Sequence, residues 1–431
     1  MNVRKIAYRL LRMFEKNKRF PTEEVKLALS RMKDKERAFF KELVWGTLRR
    51  QIYIDWVIDQ YLKNPEVPLA VRVALRMGTY QIIFMDSVPD YAAVSETVSL
   101  IEEKSFRKLV NAVLRRITER SFKEPDLLHI KYSHPKWIAE YLVEHYGFRN
   151  AVRIMENHLK PNPLVLRANT LKFERDDLLS MMEEDGFNVQ PTLHSPQGIV
   201  LKYNGDVSGL SYYKGGAVIV QGESSQIVSF VLQPKSGEKI LDIAAGFGTK
   251  TTHIAELMKN EGKIVAVDVS FDKIEKLNKN AKRMGINIIE TAVMDARDVP
   301  AMFEADFDKI LLDAPCSSLG TARKNPDVLL SFKKEKIKDL SKLQLELLNA
   351  AYKVLKPGGN LLYSTCTFIK EENKGNIKNF IENHKDMKIV DIRELLELYK
   401  IEYTWDGFGA LLLPDETLTE FYISLLEKVK D

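Results

Sequence analysis

The spacing of hydrophobic positions changes twice along this 431-residue chain. Up to about residue 125 they recur every three or four places, as in Ala7-Tyr-Arg-Leu-Leu-Arg-Met-Phe14 and Ala38-Phe-Phe-Lys-Glu-Leu-Val-Trp-Gly-Thr-Leu48. That spacing gives each segment one buried helical face. The same pattern predicts helices over Ile54–Leu62, Leu69–Met85, Ala92–Glu103 and Phe106–Ile117, punctuated by Pro65, Pro68 and Pro89. Residues 1–126 therefore read as an all-α domain. Residues 127–214 read as a small α+β domain. Its helices lie at Ile138–Tyr146, Ala151–Asn157 and Arg175–Glu184, and its strands at Pro163–Asn169, Phe187-Asn-Val and Gly198–Lys202. Over residues 215–431 short apolar runs alternate with amphipathic segments. Strands are expected at Lys239–Ala245, Lys263–Asp268, Ile288–Met294, Lys309–Asp313 and Asn360–Ser364, and helices at Thr252–Met258, Phe271–Met284 and Lys338–Leu355. Such alternation predicts a Rossmann-like α/β domain whose parallel sheet is covered on both faces.

Composition adds a few limits. Hydrophobic residues make up 45% and charged residues 29%, as in globular chains. No apolar run approaches the ~18 residues of a membrane span. The stretch Met1–Leu10 lacks the apolar core of a signal peptide, so a cytoplasmic location is expected. Residues 1–126 carry 25 Lys and Arg against 17 Asp and Glu, while the remainder carries 40 against 43. A basic first domain is suited to a polyanion, although a lysine-rich solvated surface would look the same.

Chemistry concentrates where strands end, because ligands of open α/β sheets bind outside the carboxyl ends. The first strand of the third domain runs into Asp242-Ile-Ala-Ala-Gly-Phe-Gly-Thr-Lys250. A Walker phosphate loop is excluded because Thr249, not glycine, precedes Lys250, and the dinucleotide fingerprint fails at Thr251. What survives is a glycine turn followed by acids at two further strand ends. Asp268 is placed to accept from ribose hydroxyls, and Asp295 from an adenine amino group. Strand, glycine turn, acid, acid is the order found at S-adenosylmethionine sites of class I methyltransferases.

Only two cysteines occur, Cys316 in Leu311-Leu-Asp-Ala-Pro-Cys-Ser-Ser and Cys366 in Tyr363-Ser-Thr-Cys-Thr, and each follows an apolar run. Two thiols beside a methyl donor indicate cytosine C5 as acceptor. That carbon is a poor nucleophile until a thiolate adds to C6. Asp313 would assist addition from the N3–N4 edge, and a second thiol would assist release. The base must be unstacked, which favours single-stranded and loop regions of RNA. This chemistry alone allows either cysteine to be the nucleophile. No His, Cys and carboxylate spacing has the form of a metal site, and none is expected.

These motifs resemble the RNA cytosine-5 methyltransferases of the Sun (Fmu)/NSUN group. The matches are Asp313-Ala-Pro-Cys-Ser, Tyr363-Ser-Thr-Cys-Thr with Glu371-Glu-Asn373, Val220-Gln-Gly-Glu-Ser-Ser-Gln226, Arg167-Ala-Asn-Thr-Leu-Lys172 and Ser133-His-Pro-Lys-Trp137. Asp34–Phe40, Val44–Arg49 and Val110–Arg115 resemble the NusB antitermination factor. The three-part order is similar to the bacterial 16S ribosomal RNA branch of the group. The resemblance implies that Cys366 is the nucleophile and Cys316 aids release. It also implies that Ala244, Ala245, Gly246, Phe247, Gly248, Thr249, Lys250, Asp268, Asp295 and Asp313 contact S-adenosylmethionine. Its substrate would be 16S rRNA, naked or in a partly assembled subunit, acted on by a monomer. One departure stands out: the family loop usually reads Cys-Ala-Ala-Pro-Gly-Gly-Lys, and Thr249 fits here only with negative φ. Transfer RNA as substrate, or a non-catalytic RNA-binding factor on the same fold, are the competing readings. Arg323, Lys324 and Asn325 are either RNA contacts or a solvated loop, and His253 is expected to be structural.

Overall fold

The computed structural model describes residues 2–430, so positions 1 and 431 of the outer expected domains lie outside it. Two contact units result: everything before Asn162 together with Ala322–Ser331, and the rest of the chain.

The first unit is helical. Its helices Val3–Asn17, Thr22–Ser30, Asp34–Arg49, Gln51–Asp59, Leu69–Phe84, Asp90–Ser99 and Lys104–Thr118 surround a core that includes Leu10, Phe14, Phe40, Leu43, Ile54 and Leu114. Burying each such side chain stabilises the unit by about 1.5–3 kcal/mol. Local capping agrees with this packing. The Asn2 side chain accepts from Lys5 N at the start of the first helix, and Glu36 accepts from Lys33 N at the start of the third. Helix Lys136–His158 follows, broken at Gly147 (φ 75°, ψ 161°), which is why the sequence pattern reads it as two helices. Ala322–Ser331 belongs to this unit. Arg323 is 5% exposed, donates to the Pro161 carbonyl at 3.0 Å and accepts from Arg49 through its own carbonyl. It is therefore a buried tie and not a solvated loop residue, whereas Lys324 and Asn325 are exposed.

The second unit holds two sheets. Strands β1 (Val165–Ala168), β2 (Asn188–Pro191), β3 (Gly198–Lys202) and β4 (Val218–Val220) form an antiparallel sheet in the order β2-β3-β1-β4. Leu178 and Met182 of helix Arg175–Glu184 join its core. The larger sheet contains β5 (Lys239–Ile243), β6 (Lys263–Asp268), β7 (Ile289–Val293), β8 (Phe307–Asp313), β9 (Leu355–Thr365), β10 (Met387–Val390), β11 (Tyr403–Trp405), β12 (Ala410–Leu412) and β13 (Phe421–Lys428). Its order is β11-β12-β13-β9-β8-β5-β6-β7, with β10 paired to β13.

The expected parallel sheet is real for β7, β6, β5, β8 and β9. Beyond β9 it becomes antiparallel, so the whole is mixed. Hydrophobic runs report burial but not strand direction, which depends on whether a crossover helix or a short return connects two strands. The chain leaves β5 towards β6 and β7, then returns to lay β8 and β9 on the other side. The carboxyl ends of β5 and β8 flank that reversal, where open sheets bind ligands.

Candidate active site

Five parallel strands bring their carboxyl ends to one edge of the sheet, and the residues singled out in the sequence follow those ends. After β5 the chain forms a tight loop. Gly246 and Gly248 take φ of 59° and 77°, conformations that favour glycine. A Cβ at Gly248 would also lie 2.4 Å from Leu277. Thr249 is the first residue of helix Thr249–Leu257 and needs no positive φ, so the departure from the family loop is absorbed. The unusual backbone lies at Ala244, φ 61°, a cost of order 1 kcal/mol that is typical of functional loops. Ala245 is half-buried and its N–H donates to Val267 of the neighbouring strand, while Phe247 at the tip is 50% exposed.

The acids are already engaged. Asp268 Oδ2 accepts from Gly246 N at 3.0 Å and Oδ1 from Ser270 N at 2.9 Å, so this carboxylate braces the loop. Asp295 accepts from the backbone and guanidinium of Arg297, which holds its carboxyl below the usual range. Asp313 lies between Lys250 Nζ, 2.6 Å from Oδ2, and Ser364 Oγ, which donates to Oδ1 at 2.9 Å.

Strand register explains how the two thiols meet. β8 and β9 are adjacent and parallel, with Asp313 beside Ser364. Cys316 follows three residues past that level on one strand and Cys366 two past it on the other. Their Sγ atoms are 3.4 Å apart, both half-buried and unoxidised. Gly320 N donates to Cys366 O, and Ser317 Oγ to Thr367 Oγ1, tying the two turns together. The hydrogen bond between the sulfurs pulls Cys366 below the usual thiol range against the effect of burial. The same bond, with burial, pushes Cys316 up. The thiol with the lowered pKa is the better nucleophile of the two, which suits attack by Cys366.

Comparison with known proteins places this geometry. A family model described as "16S rRNA methyltransferase RsmB/F" matches residues 229–427, one for the NusB family residues 1–119, and one for the RsmF/B-like ferredoxin-like domain residues 134–208. The probable ribosomal RNA small subunit methyltransferase B of Bacillus subtilis is 34% identical over 402 residues, 90% of each chain. The chain belongs to the RsmB/F family of 16S rRNA methyltransferases. A Shigella sonnei member, ribosomal RNA small subunit methyltransferase B, is 33% identical over 371 residues, covering 84% of this chain and 85% of its own. Among solved structures, the protein PH0851 superposes with a TM-score of 0.82 at 30% identity, covering 99% of both chains. NSun6 from Pyrococcus horikoshii, solved with SFG, has a TM-score of 0.60 at 26% identity over 69% of this chain and 99% of its own.

The sequence points to Phe247 but not to the other apolar side chains at the same strand ends, Val269, Phe271 and Val293; all four are exposed. It also gives no role to Glu372 and Gln344, both fully buried beside the Cys316 turn. His253 is structural, as expected: it is buried edge-on against Phe230, and burial together with the Arg167 charge lowers its pKa well below the usual value. Among the described residues no group of His, Cys, Asp and Glu could hold a metal ion, and no helix is long and apolar enough to cross a membrane.

Beneath the loop, Asp242 is buried and accepts from Thr251 Oγ1 at 2.6 Å. Burial pushes its carboxyl up to about 7 despite that bond. A folded-state pKa above the ordinary value means the native protein keeps a proton that the unfolded chain loses from about pH 4. The associated stability is full below pH 4 and lost as pH rises through 7. Thermal midpoints of the wild type should fall over that window, and Asp242→Asn should flatten the fall. Identical pH profiles for the two proteins would contradict this account.

Proposed function

We propose that this protein transfers a methyl group from S-adenosylmethionine to C5 of a cytosine in small-subunit ribosomal RNA. The observation that carries the reading is the pair of thiols 3.4 Å apart at the ends of adjacent strands, with the Lys250–Asp313 pair beside them. The residues fit the cofactor. Glycine backbone open to close approach, a carboxylate at the end of β6 and an exposed apolar surface at Phe247, Val269, Phe271 and Val293 suit a ribose joined to a flat base. Ala244 to Lys250, Asp268, Asp295 and Asp313 would hold it. When bound, S-adenosylmethionine supplies an electrophilic methyl group to the activated base.

The protein's own residues do the rest. Cys366 adds as thiolate to C6 of the unstacked cytosine. Asp313, oriented by Lys250 and Ser364, holds the N3–N4 edge. After methylation a water molecule takes the C5 proton, the C–H electron pair reforms the C5–C6 double bond as the C6–S bond breaks, and Cys316 assists the expulsion of the Cys366 thiolate. The basic N-terminal domain would hold the RNA, as naked rRNA or in a partly assembled subunit, and the cytoplasm is the fitting location. We expect a monomer.

Tritiated cofactor incubated with unmodified small-subunit rRNA and, separately, with transfer RNA tests the proposal. Label at cytosine C5 of the ribosomal RNA supports it. Label confined to transfer RNA, or RNA binding without any transfer, overturns it.

A further inference from the structure

The Glu371-Glu-Asn373 motif lies a few residues past Cys366, yet no step of the proposed reaction uses it. The structure turns its middle residue towards the other cysteine. Glu372 is fully buried, and its Oε2 accepts from Ser317 N at 2.9 Å and from Gln344 Nε2 at 2.8 Å. Gln344, also fully buried, donates from the same nitrogen to Pro315 O at 2.9 Å. The groups held are thus the carbonyl before Cys316 and the amide after it.

The orientation of Gln344 is fixed from behind. Its Oε1 accepts from Asn376 Nδ2 at 2.7 Å, and Asn376 Oδ1 accepts from Ser341 Oγ at 2.7 Å. Tyr363 of β9 donates to the Glu372 carbonyl at 2.6 Å, anchoring the carboxyl-bearing residue to the strand that leads to Cys366. This is a chain of buried, directed bonds running from β9 and helix Lys336–Val354 to both sides of one thiol. A network of this kind fixes geometry more than it adds stability.

We propose that Glu372 and Gln344 form a positioning clamp that holds the Cys316 sulfur against Cys366. The inference rests on the reading of the two cysteines as a working pair and assigns a task to two residues outside it. The second carboxyl oxygen, Oε1, is buried and has no hydrogen-bond partner, and burial pushes the Glu372 carboxyl up. The clamp needs only the accepting Oε2, so an uncharged group of the same shape serves. Glu372→Gln should keep the clamp, its amide oxygen accepting both bonds and its nitrogen occupying the unpartnered place. Glu372→Ala should release it. A displacement of about 1 Å at a reacting group can cost about a hundredfold in rate.

The test reads the thiols directly, without RNA or cofactor. Full-length protein is alkylated with iodoacetamide across pH, and mass spectrometry follows Cys316 and Cys366 separately. In the wild type Cys366 reacts faster at neutral pH, because the Cys316 thiol donates to its thiolate. Glu372→Ala should shift the Cys366 profile to higher pH and shrink the rate difference between the two thiols by about tenfold. Gln344→Ala, which cuts the other arm, should act in the same direction, and Glu372→Gln should track the wild type. If Glu372→Ala fails to fold, the Gln344→Ala and Glu372→Gln pair decides the matter alone. A wild-type profile in the alanine variants, or damage by glutamine equal to that by alanine, overturns the clamp. Because the assay involves no methyl transfer, its failure is distinguishable from failure of the proposed reaction.

Discussion

Replacing Cys366 with alanine should reduce methyl transfer to rRNA by at least about ten-thousand-fold, the scale of losing the nucleophile in a covalent enzyme. Folding should be nearly unaffected, because the side chain is small and half-buried. Replacing Cys316 should have a different signature. With the attacking sulfur still present, addition to C6 proceeds and expulsion stalls, so a denaturant-resistant protein–RNA adduct accumulates. Tritium transfer and gels of denatured mixtures measure the two effects, with 5-fluorocytosine RNA as a trap for the adduct. The roles would be reversed if Cys366→Ser protein still formed the trapped adduct while Cys316→Ser did not. That is a real alternative, because covalent chemistry alone permits either thiol, and the structure favours Cys366 only through the hydrogen bond that lowers its pKa.

The sequence was most informative wherever a local pattern mapped onto a local event. Helix Phe271–Met284 and helix Arg175–Glu184 fall where their apolar periodicity predicts, and β6 ends at the acid that closes its run. The meeting of the thiols was legible as chemistry but not as geometry, since it depends on β8 and β9 being neighbours in register. What the pattern left out was non-local. The run Phe421–Lys428 is apolar enough for a strand, but its pairing to β9 in the antiparallel sense is a property of the assembled sheet. Glu372 looked like one acid in a charged pair, since nothing local distinguishes it from exposed Glu371; its burial is set by helix Lys336–Val354 packed above. Arg323 misled in the same way: a basic loop residue shortly after the Cys316 turn reads as solvent-facing until its partners, Pro161 and Arg49, are known.

Arg167 gives the largest expected effect on stability. It lies on β1 in the Arg167-Ala-Asn motif and is fully buried. Its guanidinium makes a two-pronged pair with Glu256, at 2.6 and 3.1 Å, and donates to Thr249 O at 2.7 Å, to Thr252 Oγ1 and to Gln221. One side chain thereby joins the small sheet to the first turn of the helix that follows the glycine loop. Two residues on, Asn169 donates to the Met284 carbonyl at 2.9 Å and ties the same sheet to helix Phe271–Met284. Replacing Arg167 with methionine leaves a buried carboxylate whose pKa burial already raises even with the arginine present. Removing one partner of such a pair costs about 3–5 kcal/mol, whereas replacing both with apolar residues is often close to neutral. Calorimetry should therefore show a large loss for Arg167→Met and for Glu256→Met only as the reverse imbalance, with much of it recovered in the double variant. Affinity for S-adenosylmethionine should stay weakened in that double variant, because the Thr249 carbonyl has still lost its anchor beside the loop. A double variant as unstable as the two losses added together would mean the pair is not a coupled unit, and wild-type cofactor affinity in it would separate the arginine from the loop altogether.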